Sequence, residues 1–360
     1  MHLDGVRLDI ARGLWQPPGG EVQQDHPATI PGTRPVATRT VTTDRRASNC
    51  PTFAVVAEEW ITGRTNGVIG KRPLRPRTVE QYRMILKGRL LPAFGNKPVD
   101  TITAADVKAW HLTQAGTRGK RAGKPTPTMS AQSYDLLQTI MKWQVREGVI
   151  PTTPCVLDGA GVAPTAHKPR PATPAELVTM CETMPDRLQA TVLFGAWCAM
   201  RFGEIIALRR SDIDLRHATV NIDKAVTHLK TGATVGSTKT DAGTRVVSIP
   251  PHILPDIAAH LSEHVRPGRD ALLFTNLAGG YLSQTSFRRP WLRAAEAAGR
   301  PGFHFHDLRH TGATMAGQAG ASIAELQHRL GHATVQAAMR YQHATIERDK
   351  AIAESMSALA

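Results

Sequence analysis

In the C-terminal half of this 360-residue chain, a handful of side chains have types and spacings suited to phosphate and proton chemistry. Arg201 follows the apolar run VLFGAWCAM, and Glu204 lies three residues on, so the two share a helix face and can pair. Lys239 sits in GSTKTDAG, a turn-bearing stretch between two strand-like segments. HDLRH places His306, Arg309 and His310 at a helix start, with His306 and Arg309 co-facial. LGH puts His332 just past a helix-terminating glycine, and Tyr341 follows nine residues later.

Two arginines can grip a phosphate bidentately and hold charge on its equatorial oxygens. A tyrosine hydroxyl is an oxygen nucleophile once a base or a cationic setting helps it ionise, since its ordinary pKa is about 10. Histidines take or hold that proton. A lysine, compact and mobile, suits protonation of a leaving oxygen. Together these groups describe phosphoryl transfer through a phosphotyrosine. The set holds no Asp/Glu cage for Mg²⁺, so the arginine pair must supply the positive charge that metals bring elsewhere.

Each group alone has a bland reading. Arg201 and Glu204 can be a surface ion pair worth roughly 0–1 kcal/mol. Lys239 can be a solvated loop lysine, and Tyr341 a packed side chain on the face of Ala337 and Ala338. His306 and His310, like His328 and His332, have the i,i+4 spacing of a zinc pair. HRLGH nevertheless lacks the Glu of HExxH, so no metal and no other cofactor is expected.

Composition narrows the partner. The formal net charge of +14 points to a polyanion, most simply nucleic acid. The four cysteines have no CxxC spacing, which suits reduced thiols in the cytoplasm. No apolar run reaches the about 18 residues of a membrane span, and the charged N-terminus is not a secretory signal.

Around the reactive groups the chain divides into an irregular or disordered arm (1–51), a helical region (52–152), a Pro-rich linker (153–172) and a second domain (173–360). FAVVAEEWI, RTVEQYRMILKGRLLPAFG, TAADVKAWHL and MSAQSYDLLQTIMKWQVREGVI read as four helices, with Thr103 and Asp106 opening the third. Arg77, Arg83 and Lys87 on the second helix, and Arg118, Lys120, Arg121 and Lys124 in the loop GTRGKRAGKPTPT, are candidate DNA phosphate contacts. Trp110 and Trp143 are expected in the core. The second domain opens on a Thr173–Glu176 capping box. It is helical except where ATVNIDKAVTHL and TRVVSIP alternate as strands about the GSTKTDAG hairpin.

In chain order, R-x-x-E in AMRFGEIIALRRSDID, the hairpin lysine, H-x-x-R in HDLRH, LGH and the tyrosine nine residues on resemble the tyrosine recombinase (phage integrase) family. The preceding helices resemble that family's core DNA-binding domain. The resemblance implies an all-α four-helix DNA-binding domain, then a mainly α catalytic domain with a small antiparallel β-sheet. It implies that Arg201 and Arg309 bind the scissile phosphate and that Glu204 supports Arg201. Lys239 is then the general acid, His306 the proton acceptor, His332 a further phosphate donor and Tyr341 the nucleophile. It further implies a site-specific recombinase that needs neither metal nor ATP, four protomers on two DNA duplexes, a Holliday junction, and a C-terminal segment packed on a neighbour. An integrase of a phage or integrative element, working with accessory DNA-bending or directionality factors, is the expected role. A chromosome-dimer resolvase and a non-cleaving DNA-binding regulator of the same fold are the alternatives. The family's arm-binding domain has no counterpart in residues 1–51, so either the protein acts without one or the chain begins inside a longer gene.

Overall fold

The computed structural model describes residues 49–114, 126–163, 170–237, 243–331, 334–339, 350, 353–354 and 356–357. The arm up to residue 48 lies outside them, as do Arg118, Lys120, Arg121, Lys124, Lys239, His332 and Tyr341.

The first helices are α1 (Phe53–Thr65), α2 (Pro76–Ile85), α3 (Leu91–Phe94), α4 (Ala104–Leu112) and α5 (Pro127–Arg146). Pro76 starts α2, where its missing N–H costs nothing. Thr103 and Asp106 close a reciprocal capping box on α4. Phe53, Trp60, Ile85, Leu90, Phe94, Val107, Tyr134 and Ile140 are buried together as one apolar core. Each such side chain contributes about 1.5–3 kcal/mol by leaving water. Trp110 and Trp143 belong to the same core, as expected. The long helix expected over residues 77–95 is continuous but not uniform, because Leu86–Leu90 form a π-helical turn between α2 and α3. That turn carries Arg89. Its guanidinium donates to the Gln114 side chain at 2.6 Å and to Thr126 Oγ1 at 2.7 Å, bridging the two ends of the basic loop.

A second, larger core gathers Met180, Phe194, Ile205, Ile222, Val247, Ile257, Phe274, Trp291 and Leu308. It is built from α6 (Pro174–Thr183), α7 (Asp186–Ala196), α8 (Phe202–Ile205), α9 (Leu254–Glu263), α10 (Gln284–Ala297) and α11 (Phe305–Gln318), with four short strands among the described residues. After α11 come α12 (Ile323–Leu330) and α13 (Val335–Met339). The Thr173–Glu176 capping box forms as the sequence predicts. Between the cores, Cys155 is buried in the first and Ala172 in the second. Among the described residues, no helix is long and apolar enough to cross a membrane.

The strands correct one expectation. ATVNIDKAVTHL is not one strand: it breaks at Asp223 into β2 (Thr219–Ile222) and β3 (Lys224–Leu229). Strand β2 lies between β1 (Ile213–Asp214) and β5 (Arg245–Ser248) in an antiparallel sheet. Strand β3 folds back on β4 (Gly232–Ser237) as a separate hairpin. The tight turn is therefore Lys230–Thr231, with Gly232 at φ 126°, and GSTKTDAG spans the end of β4 and the return to β5. Strand β4 is exposed along its whole length. With no buried face it has no period-two pattern, and nothing in its sequence announces it.

Two glycines set the closeness of the site-bearing helices. A methyl group at Gly312 of α11 would stand 1.9 Å from the Ala196 carbonyl oxygen at the end of α7. One at Gly203 of α8 would stand 2.7 Å from the Val226 carbonyl oxygen on β3. Only glycine lets α11 lie directly on the chain that leads to Arg201.

Candidate active site

Helix α7 ends in a sharp reversal. Ala199 sits in the left-handed region at φ 50°, which costs a residue with a Cβ roughly 1–2 kcal/mol. Its carbonyl accepts a hydrogen bond from Nη1 of the buried Arg309, at 2.6 Å. Two residues later Arg201 is the N-cap of α8 and receives Glu204: the carboxylate takes Nη1 of Arg201 at 2.7 Å and its backbone N–H at 3.0 Å. The expected pair thus forms, but as a cap of a one-turn helix rather than along a helix face.

The third partner was not foreseen. Arg245, at the start of β5, meets the same carboxylate with Nη2 at 3.0 Å and Nη1 at 3.3 Å. Its side chain is fully buried, that of Glu204 is 2% exposed, and that of Arg201 is 31% exposed. Burial works to raise the Glu204 carboxyl, but Arg245 and Arg201 outweigh it and hold its pKa below the ordinary carboxylate value.

All three guanidiniums converge on the end of α12. Arg245 Nε donates to the Arg329 carbonyl at 2.9 Å, Arg309 Nη2 to that of Leu330, and Arg201 Nη2 to that of Gly331 at 3.2 Å. Carbonyls at a helix C-terminus lack partners within the helix and carry the negative end of its dipole. The arginines answer both needs. Gly331 then turns the chain in the left-handed conformation at φ 58°, and the next residue is His332. Beneath this turn, Ala199, Ala313, Leu326, Leu330 and Ala338 of α13 form a small separate core.

His306 stands on the first turn of α11, its ring 5.1 Å from that of His310 in an edge-to-face contact. Although the residue keeps an exposed side, local desolvation is the largest influence on its ring. His310, Arg309 and Arg201 add repulsion, and together they push its pKa from 6.5 down to about 4. The imidazole is therefore neutral at physiological pH and able to accept a proton. An NMR pH titration of the DNA-free protein should find the His306 ring neutral down to about pH 5, with protonation as pH falls through about 4. Titration near the ordinary value would remove that assignment.

The structure thus brings Arg201, Glu204, His306 and Arg309 together around one turn and adds Arg245. Lys239, His332 and Tyr341 lie outside the described residues; Gly331 directly precedes His332, and α13 ends two residues before Tyr341. On the first core, Arg77 pairs with Glu80 at 3.2 Å and Arg83 with Glu58 at 2.8 Å, both at the surface, and Lys87 is exposed. A further basic face appears on α10, where Arg288, Arg289 and Arg293 are exposed. Its signal in the sequence, FRRPWLR, is a cluster of arginines between core aromatics.

This combination of a helical first domain, a small antiparallel sheet and a paired-arginine site is that of a tyrosine site-specific recombinase. The chain belongs to the phage integrase family. The model described as "Phage integrase family" matches residues 172–348, and "Phage integrase, N-terminal SAM-like domain" matches residues 52–112. A protein described as a prophage phiRv2 integrase of Mycobacterium tuberculosis is 40% identical over 360 residues, covering 99% of this chain and 85% of that relative. The integrase of Mycobacterium phage L5 is 34% identical over 319 residues, covering 88% of this chain and 82% of its own. Among solved structures, the Tn1549 transposon integrase in complex with a circular intermediate DNA has the same fold. Its TM-score is 0.69 at 17% identity, over 86% of this chain and 99% of that one. A lambda integrase tetramer bound to a Holliday junction gives a TM-score of 0.58 at 18% identity, over 82% and 78%.

Proposed function

We propose that the chain is the integrase of a phage or integrative element, cutting and rejoining double-stranded DNA at attachment sites through a 3′-phosphotyrosyl intermediate. Tyr341 Oη attacks the scissile phosphorus. Its proton goes to the neutral His306, and the bond to the 5′ oxygen breaks as Lys239 protonates that oxygen. Arg201 and Arg309, with His332, hold the charge on the non-bridging oxygens. Rejoining runs the same steps backwards with a 5′-hydroxyl from the partner strand, so the phosphoester energy is conserved and ATP has no role. Four protomers on two duplexes exchange one pair of strands at a time, through a Holliday junction. The region around residues 52–152 and the domain from residue 173 close on the duplex from opposite sides. The basic loop and the exposed arginines of α2 and α10 supply phosphate contacts. Accessory DNA-bending or directionality factors complete the assembly.

The observation that carries this reading is the convergence of Arg201 and Arg309 on the Leu330–Gly331 turn, one residue from His332, with the His306 imidazole beside them. The test is incubation of the protein with half-site attachment DNA in EDTA. A covalent 3′ adduct is expected at undiminished yield relative to a Mg²⁺ control. Failure to form any adduct on the true site would leave the non-cleaving regulator as the reading. Loss of the adduct in EDTA alone would overturn the metal-independent mechanism.

A further inference from the structure

We propose that Arg245 is a positioning residue for the strand-transfer chemistry: from behind the site it holds Glu204, so that Glu204 can aim Arg201 without cancelling its charge. This rests on the integrase reading above. A single Arg201–Glu204 pair would be neutral overall and would offer a phosphate little attraction. With Arg245 on the far side, one carboxylate faces two guanidiniums, and the cluster keeps a surplus positive charge. The partition of exposure agrees: Arg245 is sealed at 0%, whereas Arg201 at 31% has an open side for a ligand. All three nitrogens of the Arg245 fork are in use, on Glu204, the Gly243 carbonyl at 2.9 Å and the Arg329 carbonyl at 2.9 Å. With its side chain fully buried, it reaches no substrate itself. Its contacts fix three things at once: the Glu204 rotamer, the return of the Lys239 segment at Gly243, and the end of α12 before His332. Only a planar guanidinium fork spans these acceptors, and lysine offers a single point of charge.

The charged groups facing Glu204 are Arg201 on its own turn and Arg245 from β5, while Arg201 and Arg309 also face His306 of α11. Removing Arg245 leaves burial as the leading influence, so Glu204 loses its charge as pH falls, in a range where the wild-type carboxylate stays ionised.

The test is adduct formation at saturating half-site DNA between pH 5 and 8, normalised to the folded fraction. At pH 7, Arg245→Met is expected to slow the rate about 100-fold and Arg245→Lys about 10-fold, the scale of a misplaced catalytic group. Half-saturation by DNA should move less than about threefold, since the phosphate contacts elsewhere persist. The Arg245→Met rate should also climb steeply with pH where wild type is flat. Should Arg245→Met fold poorly, the double variant Arg245→Met/Glu204→Gln removes the stranded carboxylate. It should fold, stay slow and lose the steep pH dependence. A folded Arg245→Met with the wild-type rate, or with a loss equal at every pH, overturns the positioning role while leaving the integrase intact. A wild-type protein that forms no adduct overturns the integrase reading and this inference with it.

Discussion

Replacing Tyr341 by Phe is expected to abolish the covalent adduct while leaving DNA binding within about twofold. The substitution keeps the ring and removes one oxygen, so the loss is confined to chemistry. Loss of a nucleophile in a cooperating set costs on the order of 10⁴-fold or more. The other tyrosines are poor substitutes. The chain has four, and three lie within the described residues. Tyr134 is buried in the first core, with its hydroxyl accepting the Leu157 N–H at 2.8 Å, and burial raises its pKa, away from ionisation. Tyr82 packs on Trp60 and is raised for the same reason. Tyr281 packs against the second core, with its hydroxyl 3.5 Å from Arg209 Nη2. The measurement is a gel shift of labelled half-site DNA under denaturing conditions, followed by peptide mapping. An adduct formed by the Tyr341→Phe protein would name a different nucleophile.

The second large effect concerns Lys239. Changing it to Ala is expected to slow cleavage of ordinary DNA by about 10²–10⁴-fold, the usual worth of a general acid. The same variant should regain most of its rate on a substrate whose 5′ bridging oxygen is sulfur. A thiol ionises near pH 8.5 and leaves without a proton, whereas water, the nearest model for the oxygen, ionises near 15.7. On either side of the segment that carries Lys239, strand β4 ends at Ser237 and the Gly243 carbonyl accepts Nη1 of Arg245. Equal losses on both substrates would remove it as the acid.

Much of this was legible in the sequence, for identifiable reasons. The capping boxes at Thr103 and Thr173 require only local chemistry, and both formed. The joint order of Arg201, His306 and Arg309 also sufficed to foresee that they meet, although no spacing alone could show it. Arg245 was missed, yet its signal is present. In TRVVSIP the period of a strand puts Arg245 on the same face as Val247 and Ile249, and that face is buried. An arginine on the apolar side of a strand requires a buried acid, and Glu204 is that acid. The three-arginine cap on α12 was illegible because its acceptors are backbone carbonyls, which every sequence contains. The π turn at Leu86–Leu90 was missed because it keeps the apolar pattern of an ordinary helix nearly intact.

That turn bears on how such proteins diversify. Arg89 joins Gln114 to Thr126 across the mouth of the segment 115–125, so one guanidinium sets the spacing of its two ends. Inside a clasp of this kind, residues can be inserted, deleted or exchanged without altering where α4 stops or α5 begins. The ends of the segment are thus set from outside it. Transplanting it between relatives, with Arg89, Gln114 and Thr126 kept, should leave α4 and α5 where they are.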